Sequence, residues 1–174
     1  MSAFALDSIV TKLPEALESR YVDRAGDAWG VVKKSAIKEV ARFAKSLGFT
    51  MFISMDGVDR QLLPENEPRF EVVYFFKSLE RNEYLRLKVL TTEDDPEIPT
   101  ISDIYGGANW SERLVWDFYG VRFAGHPDLR RMFMYEEFEG HPLRKDYPLR
   151  GRQPLVPERP IRDIFRGPGT NGVA

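Results

Sequence analysis

The chain contains no cysteine. That absence excludes disulfide stapling, thiolate nucleophiles and cysteine-ligated clusters. Histidine is nearly as scarce, with two in 174 residues, His126 and His141. A structural zinc site draws its four ligands chiefly from Cys and His, so these two would need carboxylates such as Asp128 or Glu139 beside them. No H-E-x-x-H or G-x-S-x-G pattern occurs. The letters G-x-G-x-x-G do occur at 167–172, but no strand precedes them and almost no chain follows, so a dinucleotide site is not expected there. No apolar run approaches the roughly 20 residues that a membrane-crossing helix needs. Met1–Leu13 has neither a basic n-region nor arginines, so no signal or transit peptide is expected.

What is present describes an ordinary folded body with an unusual end. Hydrophobic residues make up 43% of the chain, enough for a real core. The net charge of −2 gives no nucleic-acid footprint. That average hides an asymmetry, because residues 144–166 hold seven basic against three acidic side chains. Six of the twelve prolines lie from Pro142 onward. The segment has no hydrophobic period and too few apolar residues to order itself. It reads as an arm that orders on a partner, or as a merely soluble tail. The domain expectation is a core over 1–142 and an extended proline- and arginine-rich arm over 143–174.

Within the core, periodicity predicts a short helix over Leu6–Leu13, capped by Asp7 and stopped by Pro14. Arg20–Arg24 and Ala28–Val32 read as a hairpin around Ala25-Gly26-Asp27. Ser35 is the expected cap of a helix over Ala36–Leu47, ended by Gly48. Phe49–Met55 alternates, which places Phe49, Met51, Ile53 and Met55 on one face, and a polar loop is expected over Asp56–Pro68. Phe70–Phe76 is apolar on both faces and reads as a central strand. Leu85, Leu87 and Val89 alternate with Tyr84, Arg86 and Lys88, so that strand has one wet face. Thr91–Pro99, with Glu93, Asp94, Asp95 and Glu97, reads as a solvated acidic loop, and Ser102–Tyr105 as a helical turn. The fold class is therefore α+β: a mostly antiparallel sheet with helices packed on one face, followed by an extended C-terminal arm.

The stretch Asn109–Pro148 organises the rest. Residues 109–119 read as a helix with Asn109 as N-cap, Glu112 three residues on, and Gly120 as the stop. Trp110, Leu114, Val115, Trp116, Phe118 and Tyr119 cover roughly 240° of its circumference, far more than the stripe of a surface helix. Burial on two sides is expected, the second side being a further layer or another protein. Arg113 and Asp117, four apart, are expected to pair in the narrow polar sector that remains. After the helix one turn is used twice. Phe123-Ala124-Gly125-His126-Pro127 returns as Phe138-Glu139-Gly140-His141-Pro142, and basic pairs follow, Arg130-Arg131 and Arg144-Lys145. The histidines read as turn-stabilising or interface residues, with a metal-dependent enzyme using both as the rival.

These residues also resemble a known family. Glu112-Arg113-x-x-Trp116-Asp117-x-x-Gly120, then Gly125-His126-Pro127-Asp128-Leu129-Arg130-Arg131, then Gly140-His141-Pro142-Leu143-Arg144-Lys145-Asp146-Tyr147-Pro148-Leu149, follow in the order found in the C subunit of bacterial NADH-quinone oxidoreductase, respiratory complex I. Pro68–Tyr74 and Arg86–Val89 are similar as well, and the likeness spans roughly residues 30–150. Leu114 stands where the family usually has an acidic residue. The resemblance implies a peripheral-arm subunit without catalytic residues or a cofactor of its own. It implies FMN, iron–sulfur clusters and quinone in partner subunits, and docking chiefly on the large quinone-site subunit. It further implies membrane association only through the complex, on the cytoplasmic face of the bacterial cell membrane, and no nucleic-acid partner. Glu112, Arg113, Trp116, Asp117, His126, Asp128, Arg130, Arg131, His141, Arg144, Lys145, Asp146 and Tyr147 are the expected interface residues. The equivalent subunit of a related membrane-bound hydrogenase, or of a dehydrogenase with another donor, is the alternative.

Overall fold

The structure is a computed structural model, and it describes residues 3–63, 67–150 and 153. The expected glycine-rich letters at 167–172 and most of the expected arm lie outside the described residues. A five-stranded sheet is built from β1 (Leu17–Val22), β2 (Ala28–Val32), β3 (Met51–Asp59), β4 (Phe70–Ser78) and β5 (Glu83–Thr91), in the order β1-β2-β5-β4-β3. Only β2 and β5 pair in parallel; the other three pairings are antiparallel. The helices α1 (Ala3–Lys12), α2 (Ile37–Ser46) and α3 (Ala108–Tyr119) share one continuous core with the sheet's inner residues, among them Phe70, Tyr74, Phe76, Leu87 and Val89. The α+β expectation with helices on one face holds.

Several local expectations do not. Ser35 caps nothing: a 3-10 turn over Lys34–Ala36 leads into α2 without a side-chain cap. The alternation expected at 49–55 is interrupted by a bulge between Phe52 and Ser54, where Ile53 is the extra residue. A bulge flips the parity of a strand. Phe52 therefore packs on Phe76 and Tyr105, while Met51 and Ile53 are 44% and 41% exposed. The strand then runs on to Asp59 through what reads as a polar loop, with Met55, Gly57 and Asp59 inward. The close approach of α3 here needs Gly57, because a Cβ would lie 2.5 Å from the Tyr119 ring.

The outer face of β5 is less wet than its alternation suggests. Arg86 pairs with Asp27 at 2.9 Å and Lys88 with Glu71 at 2.8 Å, and Lys88 lies over the Trp29 ring. The acidic loop is partly structured too. Glu97–Pro99 forms β6, parallel to β7 (Arg122–Ala124), and α3 is the crossover between them. Glu93 binds Arg69, and Asp95 pairs with Lys34. This crossover lays α3 along β3, with Gly107 near Phe52 and Tyr119 against Gly57.

Candidate functional site

α3 begins at Ala108 after Gly107, with no side-chain cap, so the expected Asn109 capping box does not form. Glu112 instead points inward, where its Oε1 accepts the Ile101 N–H at 2.8 Å. The polar sector of this helix is its buried one. Glu112 and Asp117 are 0% exposed and Arg113 is 7% exposed, whereas Trp110 is 61% exposed. Each of the three has polar partners inside: Glu112 has Thr100 and Ile101, and the loop 121–147 that wraps the helix supplies those of Arg113 and Asp117. Leu114, where the resemblance expects an acid, packs against the apolar core.

Arg113 and Asp117 do not pair with each other. Asp117 Oδ1 accepts from Arg131 at 2.9 Å, and its Oδ2 accepts three successive amides, Met132, Phe133 and Met134, at 2.8–3.1 Å. Desolvation pushes this carboxyl up, but the amides and the guanidinium outweigh it and hold it below the usual carboxylate range. Arg113 donates to the carbonyls of Arg130 and Arg131 at 3.2 and 3.0 Å and lies over the Trp110 ring. Both helix charges go to the loop. An i,i+4 reading finds the nearest opposite charge; the loop offers stronger geometry.

The repeated turn now has a purpose. Gly125 and Gly140 share a left-handed backbone, with φ 80° and 89°. Each following imidazole reaches a carbonyl of α3. His126 Nε2 bonds the Asn109 oxygen at 3.1 Å and His141 Nδ1 bonds the Asp117 oxygen at 3.1 Å. The turns clamp the helix eight residues apart, about 12 Å along its axis. That separation removes the reading in which the two histidines share a metal. Burial, first among several influences, keeps the His141 imidazole below its ordinary value. Among the described residues no group of three His, Asp or Glu is placed to hold a metal ion.

The C-terminal end of α3 is completely satisfied. Its last four carbonyls are orphans by geometry. Trp116 O accepts Gly120 N–H, Asp117 O accepts His141, Phe118 O accepts Leu143 N–H at 3.1 Å, and Tyr119 O accepts Arg144 Nε at 2.7 Å. Gly120 is required twice over: its φ is +77°, and a Cβ would lie 2.6 Å from the His141 ring and 2.5 Å from Arg144. Arg131 ties the turns together by donating to the Phe138 and Gly140 carbonyls while lying over Trp116. Asp128 and Arg130 form an exposed pair at 2.9 Å and touch the helix little.

Arg69 is the residue that the sequence did not announce. Its side chain is 6% exposed and contacts Asp59, Glu93 and Asp146 at 2.6–3.0 Å. Three carboxylates hold its guanidinium charge more firmly than usual, Asp59 first. Asp59 also accepts the Lys145 N–H at 2.8 Å, and Arg144 reaches Glu93 at 3.7 Å. Tyr147 stacks on Phe138. Residues 143–147 are thus seated on the core by contacts spanning up to 86 residues of sequence. Only the Pro68-Arg69-Phe70 motif could have flagged Arg69, and spacing says nothing about its partners.

Among the described residues no helix is long and apolar enough to cross a membrane. The family model for the respiratory-chain NADH dehydrogenase, 30 Kd subunit, matches residues 31–153. The NADH-quinone oxidoreductase C subunit 2 of Rhizobium etli (strain CIAT 652) is 41% identical over 165 residues, covering 84% of this chain and 86% of that one. The NADH-quinone oxidoreductase C subunit of Paramagnetospirillum magneticum is 40% identical, covering 82% and 71%. Among solved structures, the trypsin-resistant fragment (1-134) of Nqo5 superposes with a TM-score of 0.65 at 31% identity, over 72% of this chain and 99% of the fragment. A chain of a membrane-bound sulfane sulfur reductase, an archaeal respiratory membrane complex, gives 0.68 at 28% identity, over 83% and 84%.

Proposed function

The chain belongs to the 30 Kd subunit family of the respiratory-chain NADH dehydrogenase, and from that premise we propose that it is a docking subunit without chemistry of its own. The enzyme complex is NADH-quinone oxidoreductase. In this reading the chain binds no cofactor. FMN, the iron–sulfur clusters and the quinone belong to partner subunits. The chain docks chiefly on the large subunit that helps form the quinone site, and it meets the membrane only through the complex, on the cytoplasmic face of a bacterial cell.

One observation carries the proposal: α3 and the loop bonded to it present the most exposed aromatic side chains among the described residues. Trp110 and Phe133 are each 61% exposed, Leu143 is 46% exposed, and Phe133 stacks on Phe118 of α3 at 5.5 Å. Rigid aromatic anchors on a pre-organised element are what a stable interface uses. The charged residues beneath them are occupied by internal bonds, which leaves them a structural role. The interface residues proposed here are Trp110, Trp116 and Phe133, with Arg144–Tyr147 as the root from which an arm leaves. Core and arm divide near 142, with 143–147 as the seated root. Mass spectrometry of what co-purifies at native expression tests this. Recovery of the large quinone-site subunit is expected; recovery of the chain alone, with NADH oxidation or a stoichiometric metal, would overturn it.

The likeness to the sulfane sulfur reductase chain favours a second reading, the equivalent subunit of a respiratory complex with another donor or acceptor. A flavin- and NADH-binding subunit in the same purification favours the first reading, and its consistent absence from an intact complex favours the second.

A further inference from the structure

Glu112 and His126 form a buried pair that the docking reading does not use. Both side chains are 0% exposed, and Glu112 Oε2 lies 3.7 Å from His126 Nε2. Glu112 comes from the inward side of α3 and His126 from the first Gly-His-Pro turn. Glu112 Oε2 also meets Thr100 Oγ1 at 2.5 Å, and Thr100 Oγ1 meets Ser102 Oγ at 2.8 Å. From β4 the fully buried Tyr74 hydroxyl, without a hydrogen-bond partner among the described residues, lies in the field of the Glu112 carboxylate. From α2 and the 102–105 turn, Lys38 and Asp103 act on Glu112 in opposite senses; they pair with each other at 3.1 Å, and Arg42 also reaches Asp103. Among the described residues no lysine or arginine pairs with this carboxylate.

The imidazole decides where a proton can sit. His126 Nε2 faces the Asn109 carbonyl, which can only accept, so Nε2 carries the hydrogen. Its Nδ1 accepts the Asp128 N–H at 3.0 Å. A second proton on the ring would set one N–H against another and break the turn. Thr100 Oγ1 donates to a Glu112 carboxylate, and with its own hydrogen turned to Ser102 Oγ it accepts from a protonated Glu112. Without that proton, a buried carboxylate keeps only neutral donors, the Thr100 hydroxyl and the Ile101 N–H, with one imidazole N–H at 3.7 Å.

We propose that Glu112 and His126 form a single-proton site in which the proton is held on Glu112, and that its loss loosens the first Gly-His-Pro turn from α3. Burial, working against the bonds from Thr100 and Ile101, pushes the Glu112 carboxyl up to about 7, so the site changes state near neutral pH. An open groove of about 410 Å³, lined by Asp103, Asn109, Trp110, Gly125 and Pro127 among others, is walled by the two segments that the pair joins. The proton therefore adjusts the shape of the surface around Trp110.

The test uses the full chain, wild type and Glu112→Gln, with amide hydrogen exchange over residues 98–101 and 123–128 from pH 5 to 8, corrected for intrinsic rates. A glutamine reproduces the protonated acid. Protection in the wild type should fall by up to about tenfold per pH unit as pH rises toward 7 and level off above it. In Glu112→Gln it should be flat. If the variant does not fold, the Glu112 carboxyl carbon-13 titration of the wild type decides, with a midpoint near 7 expected. A midpoint near 4.5 or flat protection in the wild type would overturn the proposal.

Discussion

α3 buries two carboxylates completely, Glu112 and Asp117, five residues apart, and their environments drive them in opposite directions. Desolvation is the largest influence on both and pushes both up. At Asp117 three consecutive amides and Arg131 reverse it. At Glu112 one hydroxyl and one amide do not, and its carboxyl lies at about 7. Burial alone therefore does not set the sign; the number and charge of the donors do. Asp117 is a fixed anchor for the loop. Glu112 is an adjustable one. The same Gly-His-Pro turn serves both, which makes the contrast a matter of carboxylate surroundings and not of scaffold.

The largest effect should come from the fixed anchor. Asp117→Ala takes the carboxylate from Arg131 and the acceptor from three amides and should cost about 3–5 kcal/mol, read by denaturant unfolding of the isolated chain. A loss below about 1 kcal/mol would mean that the nest of amides is solvated and the anchor is illusory.

The opposite shifts give opposite pH responses. A carboxyl held low in the folded chain, such as Asp117 or Asp59, contributes stability above its unfolded value of 3.8, and that stability is lost as pH falls. Glu112, raised from 4.5 to about 7, contributes stability that is complete below 4.5 and is lost as pH rises toward 7. Melting temperature against pH should thus flatten between about pH 5 and 7 on replacing Glu112 by Gln. Replacing Asp117 by Asn should instead remove part of the acid limb below about pH 4. Identical profile changes in the two variants would erase the comparison.

Much of this arrangement was legible in the sequence, and the failures share a cause. The inward Leu85, Leu87 and Val89 follow directly from alternation, because strand parity is local. The doubled Gly-His-Pro turn is visible as letters. Its target is not, since Asn109 and Asp117 lie 17 and 24 residues away. Arg113 and Asp117 looked paired because spacing of four is the only pairing a sequence displays; the true partner of Asp117 is 14 residues on. Arg69 gathers Asp59, Glu93 and Asp146 from three separate segments, which no window contains. The bulge at Ile53 hid for another reason: one extra residue leaves hydrophobicity unchanged while inverting every side chain after it.

Smaller effects sharpen the contrast between the turns. His126→Ala removes a completely buried ring and two bonds; His141→Ala removes a ring with one bond to the helix. Each removes a donor from a helix carbonyl, the Asp117 oxygen keeping Arg131 at 3.3 Å, at a cost of about 1–3 kcal/mol, with His126 the larger. Calorimetry of the two variants checks the order, and a larger loss at His141 would reverse it. Trp110→Ala should change the stability of the isolated chain least, within about 0.5 kcal/mol, because its ring is mostly exposed. It should nevertheless weaken assembly, read as recovery of the complex from membranes.

The most direct measurement is photo-crosslinking in the assembled complex from two positions, Trp110 on the clamped helix and Tyr84 on the far side of the sheet. Both are exposed in the isolated chain, at 61% and 40%. A benzophenone side chain at 110 should capture the large quinone-site subunit with high yield, and one at 84 should not. Capture of that subunit from position 84, with none from 110, would contradict the docking surface assigned to α3.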